Sequence, residues 1–211
     1  MIEVKVKNVT KKIKDTEVLR NISMELYGGE VTGFAGTNGS GKTMLMRLIS
    51  GLILPTEGEI QVNGKVLGRD IEFPESIGIL IENPAFLDYY SGFQNLKLLA
   101  SLRRKVGDAE IMSALEMVGL DPHSRKKYKK YSLGMKQRLG IAGAIFEKPE
   151  ILILDEPTNA LDEAGILLLK QIVRQEKERG ALVIISCHSS EILKELTDTV
   201  YVLESGQIKE T

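Results

Sequence analysis

The stretch Gly36-Thr37-Asn38-Gly39-Ser40-Gly41-Lys42-Thr43 constrains this chain more than any other part of it. It satisfies the phosphate-loop pattern of Gly, four residues, and Gly-Lys-Ser/Thr. Glu30 to Ala35 before it reads as a short buried strand, and Met44 to Ile49 after it as the first turns of a helix. A strand, a glycine-rich turn and a helix, in that order, is the context the pattern requires. The glycines permit backbone angles that a side chain forbids, so that successive N–H groups turn toward one anion. The helix N-terminus adds positive partial charge at the same spot. Such a loop binds a nucleotide through Gly36 to Met44, with Lys42 reaching the β- and γ-phosphates and the Thr43 hydroxyl serving a Mg²⁺ ion.

A second feature answers the first. Ile151-Leu152-Ile153-Leu154 is a continuous apolar strand that ends in Asp155-Glu156. A carboxylate at that strand end, beside a phosphate loop, holds the shell of the metal, and this role falls to Asp155. Glu156, one residue on, is placed to polarise the attacking water as general base. Leu182 to Ile185 is another apolar run, and the helical stretch from about Asp162 to Arg179 joins the two. Continuous apolar strands linked by a helix are the mark of a parallel sheet covered on both faces.

The rest of the chain adds two layers to this α/β core. Ile2-Val4-Val6 and Ile22-Met24-Leu26 alternate as half-buried antiparallel strands do, and Glu59 to Leu67 adds a strand pair around Asn63-Gly64. Ser76 to Glu82 reads as a strand stopped by Asn83-Pro84. From Ser91 to about Lys130 the period becomes helical, through Phe93, Leu96, Leu99, Ala100 and Arg103 and then Ile111, Leu115 and Val118, and Leu133 to Phe146 forms another helix. The fold class is therefore an α/β P-loop NTPase core with a parallel sheet, an N-terminal antiparallel β layer and an inserted helical lobe. Core and β layer span about 1–82 and 146–211, the lobe about 83–145, within one domain.

Charge is balanced, with 28 Lys and Arg against 29 Asp and Glu, which argues against a nucleic-acid binder. There is no uncharged apolar run long enough to span a bilayer, and the alternating N-terminus lacks the apolar core of a signal peptide. A single cysteine, Cys187, makes no internal disulfide, so a cytosolic compartment is the default expectation. The basic run Arg125 to Lys130 reads first as a solvated lobe surface, with contact to anionic headgroups or to a loop of a membrane partner as the alternative.

Tyr131-Ser132-Leu133-Gly134-Met135 opens the helix that precedes the acidic strand, a second helix start able to meet an anion. Here the chain resembles the ATP-binding subunits of ABC transporters, whose signature reads Leu-Ser-Gly-Gly-Gln. Ser132 and Gly134 match it, while Tyr131, Leu133 and Met135 depart. Phosphate loop, signature, acidic strand, Asn159-Ala160-Leu161-Asp162 and His188 follow in the family's order over nearly the whole chain.

The resemblance implies an ATPase whose cofactors are ATP and Mg²⁺. It implies two subunits, identical or different, paired head-to-tail, each ATP lying between one phosphate loop and the Ser132–Met135 signature of the partner. Asp162 would speak across that interface and His188 would contact the γ-phosphate. The partners implied are a transmembrane permease subunit and a second ATPase subunit, with no nucleic acid, and the location is cytoplasmic, on the inner face of the membrane. A permease helix would dock around Ala85, Phe86 and Leu87.

Two positions depart from the family. Ile13 stands where an aromatic stacks on adenine, and Glu82 stands where Gln usually reaches the metal. Glu82 with Asn83-Pro84-Ala85-Phe86-Leu87 resembles subunits linked to bacitracin-type and lantibiotic peptide resistance. A soluble ABC ATPase acting on nucleic acid or ribosomes is the alternative, disfavoured by the absence of a coiled-coil insertion or a second ATPase unit. A non-hydrolysing nucleotide-dependent module is disfavoured by the intact Lys42, Thr43, Asp155, Glu156 and His188.

Overall fold

The computed structural model describes residues 1–103 and 105–209; residues 104, 210 and 211, which the lobe and core boundaries include, lie outside the described residues. Strands β1 (Glu3–Ile13) and β2 (Thr16–Tyr27) form an antiparallel hairpin in which Val4 faces Leu26 and Val6 faces Met24. Their alternation places Val4, Val6, Ile22, Met24 and Leu26 on the buried side. Strand β3 (Val31–Ala35) then enters the phosphate loop and helix α1 (Lys42–Ile49) leaves it. The hairpin grows by β4 (Glu57–Val62) and β5 (Lys65–Val66) into a four-stranded sheet of order β2-β1-β4-β5.

The larger sheet takes β6 (Ile77–Leu80), β7 (Ile151–Leu154), β8 (Leu182–Ser186), β9 (Thr199–Glu204) and β10 (Gln207–Ile208). Its order is β10-β9-β3-β8-β7-β6, parallel except at β10. Because the strands are parallel, β3, β7 and β8 all end at one edge, where Ala35, Leu154 and Ser186 lead into loops. Crevices at such an edge are where open α/β sheets bind ligands.

The apolar runs are buried on both faces, as continuous hydrophobicity requires. Ile151, Ile153 and Ile184 turn into a core shared with α1 and the antiparallel sheet. Leu152, Leu154 and Ile185 turn the other way, into a core shared with helices α2 (Gly92–Arg103), α3 (Asp108–Met117), α4 (Leu133–Ile145) and α5 (Glu163–Glu178). The lobe helices thus share one continuous core with the parallel sheet. The contact is closest where α4 crosses β6. A Cβ on Gly78 would stand 1.8 Å from the Ala144 carbonyl oxygen, so backbone lies on backbone there. The last helix is α6 (Ser190–Leu196), on the β8–β9 crossover. No helix among the described residues is long and apolar enough to cross a membrane.

Two details differ from the sequence reading. The strand expected over 76–82 stops at Leu80, because Glu82 adopts a left-handed backbone with φ of 60°. Along α2, Leu96 and Ala100 are buried but Leu99 and Leu102 stay exposed, so the helix presents apolar side chains on both sides.

Candidate functional site

Three glycines shape the loop between β3 and α1. Gly36, Gly39 and Gly41 have φ of 143°, 79° and 110°, angles at which an L side chain is strained. At Gly36 there is no room either, since a Cβ would meet the Leu203 carbonyl oxygen at 2.2 Å. The Lys42 side chain is buried and folds back over the loop, donating to the carbonyls of Gly36 at 2.8 Å and Thr37 at 3.2 Å. An ammonium held by carbonyls at the mouth of an amide-lined turn is poised to exchange them for phosphate oxygens.

The strand ends complete the site. The Thr43 hydroxyl donates to Asp155 Oδ2 at 2.6 Å, and the Ser186 hydroxyl donates to Asp155 Oδ1 at 2.6 Å. The buried Asp155 carboxylate is thereby fixed at both oxygens. Glu156 follows with φ of 50°, held by its N–H donating to Ser186 Oγ at 2.9 Å. Its two carboxylate oxygens are buried and have no hydrogen-bond partner, as is also true of Ser40 Oγ. Burial pushes the Glu156 carboxyl above the ordinary carboxylate range, against the pull of His188 and Lys42. His188 Nε2 lies 3.7 Å from Glu156 Oε1, too far for a hydrogen bond and near enough for charge to be felt.

Lys42, Thr43, Glu156 and His188 line one cavity of about 630 Å³ with Thr16, Val18, Arg20 and the turn Ser205-Gly206, and Asp155 and Ser186 stand behind its wall. That size suits a nucleotide-scale ligand. The β9–β10 turn is tied to the loop, with Gly206 N–H donating to Ser40 O at 3.1 Å and Arg20 N–H to Gly206 O at 2.8 Å. An anion in this cavity would meet loop amides, the N-terminus of α1 and Lys42. A water beside that anion would meet a carboxylate whose oxygens are otherwise unused.

The remaining candidates stand elsewhere. Ile13 ends β1 opposite Thr16 and is 45% exposed, beside the cavity rather than lining it. Glu82 does not line it; its carboxylate accepts from Arg47 Nη2 at 2.6 Å in a separate groove with Pro84, Ala85 and Phe86. Leu87 is exposed beyond that groove. Ser132 caps α4, its hydroxyl accepting from Met135 N–H at 3.2 Å, and Leu133 points outward at 74% exposure. Within one chain neither these two nor Gly134 and Met135 reach the cavity. Asp162 caps α5 by accepting from Gly165 N–H at 2.9 Å.

Some site residues escape sequence reasoning. Ser186, which orients Asp155 and Glu156 together, shows only as a hydroxyl ending an apolar strand. Arg20 and the Ser205-Gly206 turn carry no pattern, because distant pairing brings them to the loop.

Residues 19–159 match the family model described as ABC transporter. The chain is 49% identical over 206 residues to the ABC transporter ATP-binding protein YybJ of Bacillus subtilis, covering 98% of this chain and 94% of that protein. It is 38% identical to the bacitracin transport ATP-binding protein BcrA of Enterococcus faecalis, over 98% of this chain and 68% of the relative. To the lantibiotic transport ATP-binding protein SrtF of Streptococcus pyogenes it is 35% identical, over 97% of this chain and 88% of that one. Among solved structures, an ATP-binding subunit of an ABC transporter superposes with a TM-score of 0.88 at 26% identity, covering 98% of this chain and 88% of the other. The dimeric cassette MJ0796 shares the fold with a TM-score of 0.89 at 23% identity, over 98% and 97% of the two chains. By the matched family and by these relatives, the chain belongs to the ABC transporter ATP-binding proteins, a family of ATPases.

Proposed function

We propose that this chain is the ATP-hydrolysing subunit of an exporter whose permease is a separate membrane polypeptide, and that two ATPase subunits close on ATP to drive it. The observation that carries the reading is Glu156, a buried carboxylate with no partner beside the Thr43–Asp155 pair. A buried polar group is normally hydrogen-bonded. One left open where a phosphate loop ends is best accounted for by a water that it must activate. Glu156 takes the proton of that water, Lys42 holds the β- and γ-phosphates, and His188, beside Glu156, contacts the γ-phosphate. Ile13 packs on the base at the hairpin end of the cavity.

Thr43 and Asp155 suit Mg²⁺, since they offer hard oxygen donors 2.6 Å apart. Among the described residues no three His, Cys, Asp or Glu side chains converge, so most further ligands would come from phosphate and water. When bound, the ion neutralises charge on the transferring phosphoryl group. In the closed state Glu82, released from Arg47, would add a carboxylate oxygen to this shell. The Ser132–Met135 helix start serves the nucleotide of the second subunit, which accounts for its exposure, and Asp162 lies at the joint between subunits.

The groove of Arg47, Glu82, Ala85 and Phe86 receives a helix of the permease, on the cytoplasmic side of the membrane. Leu52, Phe73, Leu99 and Leu102 are all exposed large apolar side chains, and Leu52 and Leu99 line that groove. The cargo is an antimicrobial peptide of the bacitracin or lantibiotic kind, as the names of BcrA and SrtF suggest. The test is to extract the tagged chain from membranes of its own host. It should bring down a polytopic protein and hydrolyse ATP, and deletion of the gene should sensitise cells to such peptides. A chain recovered without any membrane protein would refute the transport role.

A further inference from the structure

One face of α4 is fastened to the segment Glu156 to Asp162 at three successive points. Gly134, Gln137 and Arg138 lie on that face at helical spacing. At Gly134 a Cβ would stand 2.8 Å from the Ala160 carbonyl oxygen, so the helix backbone abuts the segment. The buried Gln137 amide donates to Pro157 O at 3.2 Å and Glu156 O at 3.4 Å. Arg138 Nη2 donates to Asp162 Oδ1 at 2.5 Å, the same oxygen that caps α5.

The guanidinium occupies a notch made for it. A Cβ on Gly119 would stand 2.9 Å from Arg138 Nη1, and one on Gly165 3.2 Å from Nη2. Arg138 thus touches the lobe, the helix that carries Ser132 and the cap of α5 at once. The segment it holds is itself strained: Glu156 and Ala160 have φ of 50° and 60°, a region that non-glycine residues hold only when their surroundings over-determine it. The fastenings on α4, with the Glu156 N–H bond to Ser186, over-determine it.

We propose that Arg138 is a positioning residue for hydrolysis, a clamp that transmits closure of the Ser132 helix on one nucleotide to Glu156 at the other. The inference rests on the two-subunit reading above. Each subunit then offers its α4 N-terminus to the partner's ATP and its Glu156 to its own. Displacement of α4 pulls Asp162 through the guanidinium and the Glu156 and Pro157 carbonyls through Gln137. The two sites are coupled through packed and hydrogen-bonded contacts within one chain.

The test uses the full chain with ATP hydrolysis followed against ATP concentration. The natural protein should show a Hill coefficient between 1 and 2, the ceiling for two sites. Arg138→Met keeps the stem and removes the fork. It should lower kcat about tenfold or more, as expected for a lost charge-assisted contact, with KM within about twofold, and bring the Hill coefficient to about 1. Arg138→Lys should recover part of the cooperativity. A merely structural arginine would lower the melting temperature and leave the Hill coefficient unchanged in the folded fraction, which overturns the proposal, as does a natural protein without cooperativity. Should Arg138→Met fail to fold, Arg138→Lys alone decides by the same readout. ATP-driven dimerisation of Glu156→Gln separates the two readings. If that variant stays monomeric, the two-subunit reading fails; if it dimerises and Arg138 variants stay cooperative, only the clamp fails.

Discussion

Arg47 Nη2 and Glu82 Oε1 meet at 2.6 Å, tying the helix that leaves the phosphate loop to the segment that follows β6. The pair is open to solvent, with the Glu82 side chain 62% exposed. Exposed ion pairs contribute about 0–1 kcal/mol, so this one can be exchanged for another partner at small cost. Glu82→Gln should therefore change global stability by less than about 1 kcal/mol.

The same variant should behave differently toward metal. A carboxylate that reaches the γ-phosphate region repels phosphate oxygens unless a cation lies between, whereas an amide repels nothing. Two like charges about 4 Å apart interact by roughly 4 kcal/mol at an effective dielectric near 20. ATP-driven dimerisation should then depend more steeply on Mg²⁺ in the natural protein than in Glu82→Gln. Dimer formation is measured against Mg²⁺ at saturating ATP. Superimposable curves would mean that Glu82 stays with Arg47 and never meets the ion.

Glu156→Gln should bind ATP normally and lose most hydrolysis, on the order of a hundredfold or more for a missing general base. The variant keeps the shape of the side chain and its N–H bond to Ser186, so the loop geometry should survive. Closure without hydrolysis is not reversed, and an ATP-bound dimer should accumulate on gel filtration. Turnover within about threefold of the natural rate would remove Glu156 from the base role.

The phosphate loop, the acidic strand end and the parallel, doubly covered character of the strands were legible because each is written in adjacent residues. Gly36 to Thr43 and Leu152 to Glu156 carry both their structure and their chemistry locally. Glu82 was legible as an oddity, but its partner was not. Arg47 is 35 residues away in sequence, and only the fold brings α1 beside the segment after β6. Ser186 and Arg138 were missed for the same reason. A serine ending an apolar strand or an arginine inside a helix is ordinary until tertiary structure aims it at Asp155 or Asp162. The shared core of the lobe and the sheet was hidden too, since helical periodicity tells which face is apolar but not what covers it.

Gly78 offers a test of that shared core. It sits in β6 where the Ala144 carbonyl of α4 crosses it, and a Cβ would fall 1.8 Å from that oxygen. The obstacle is backbone on both sides, so no side-chain rotation relieves it. Gly78→Ala must push α4 off the sheet, and overpacking of this kind costs about 1–3 kcal/mol or more. Because α4 also carries Ser132, the displacement should weaken ATP-driven dimerisation as well as lower the melting temperature. A variant with an unchanged melting temperature would show that the helix rides higher on β6 than this contact allows.

The pH dependence of the protein should carry the mark of Glu156. Its carboxyl is held above the ordinary range chiefly by burial, with His188 and Lys42 opposing. As a base it must be ionised, so the acid limb of hydrolysis should lie above the titration of a free glutamate, about pH 4.3. For stability the sign runs the other way. A carboxyl whose folded pKa is raised favours folding while it is protonated. That contribution is fully present below about pH 4.3, where the unfolded chain is protonated too. It is lost as pH rises through the raised folded value, because the unfolded chain ionises first and the folded chain must then bury a charge. Glu156→Gln has nothing to titrate at this position. Its stability relative to the natural protein should therefore grow as pH rises from about 4 and level off once Glu156 is ionised in the folded state. Titrating groups that do not feel the Glu156 charge are common to both proteins and cancel in the difference. Chemical unfolding of the two across this range, without nucleotide, supplies the comparison. A constant difference would mean that the carboxyl titrates as it does in water, and that burial does not govern it.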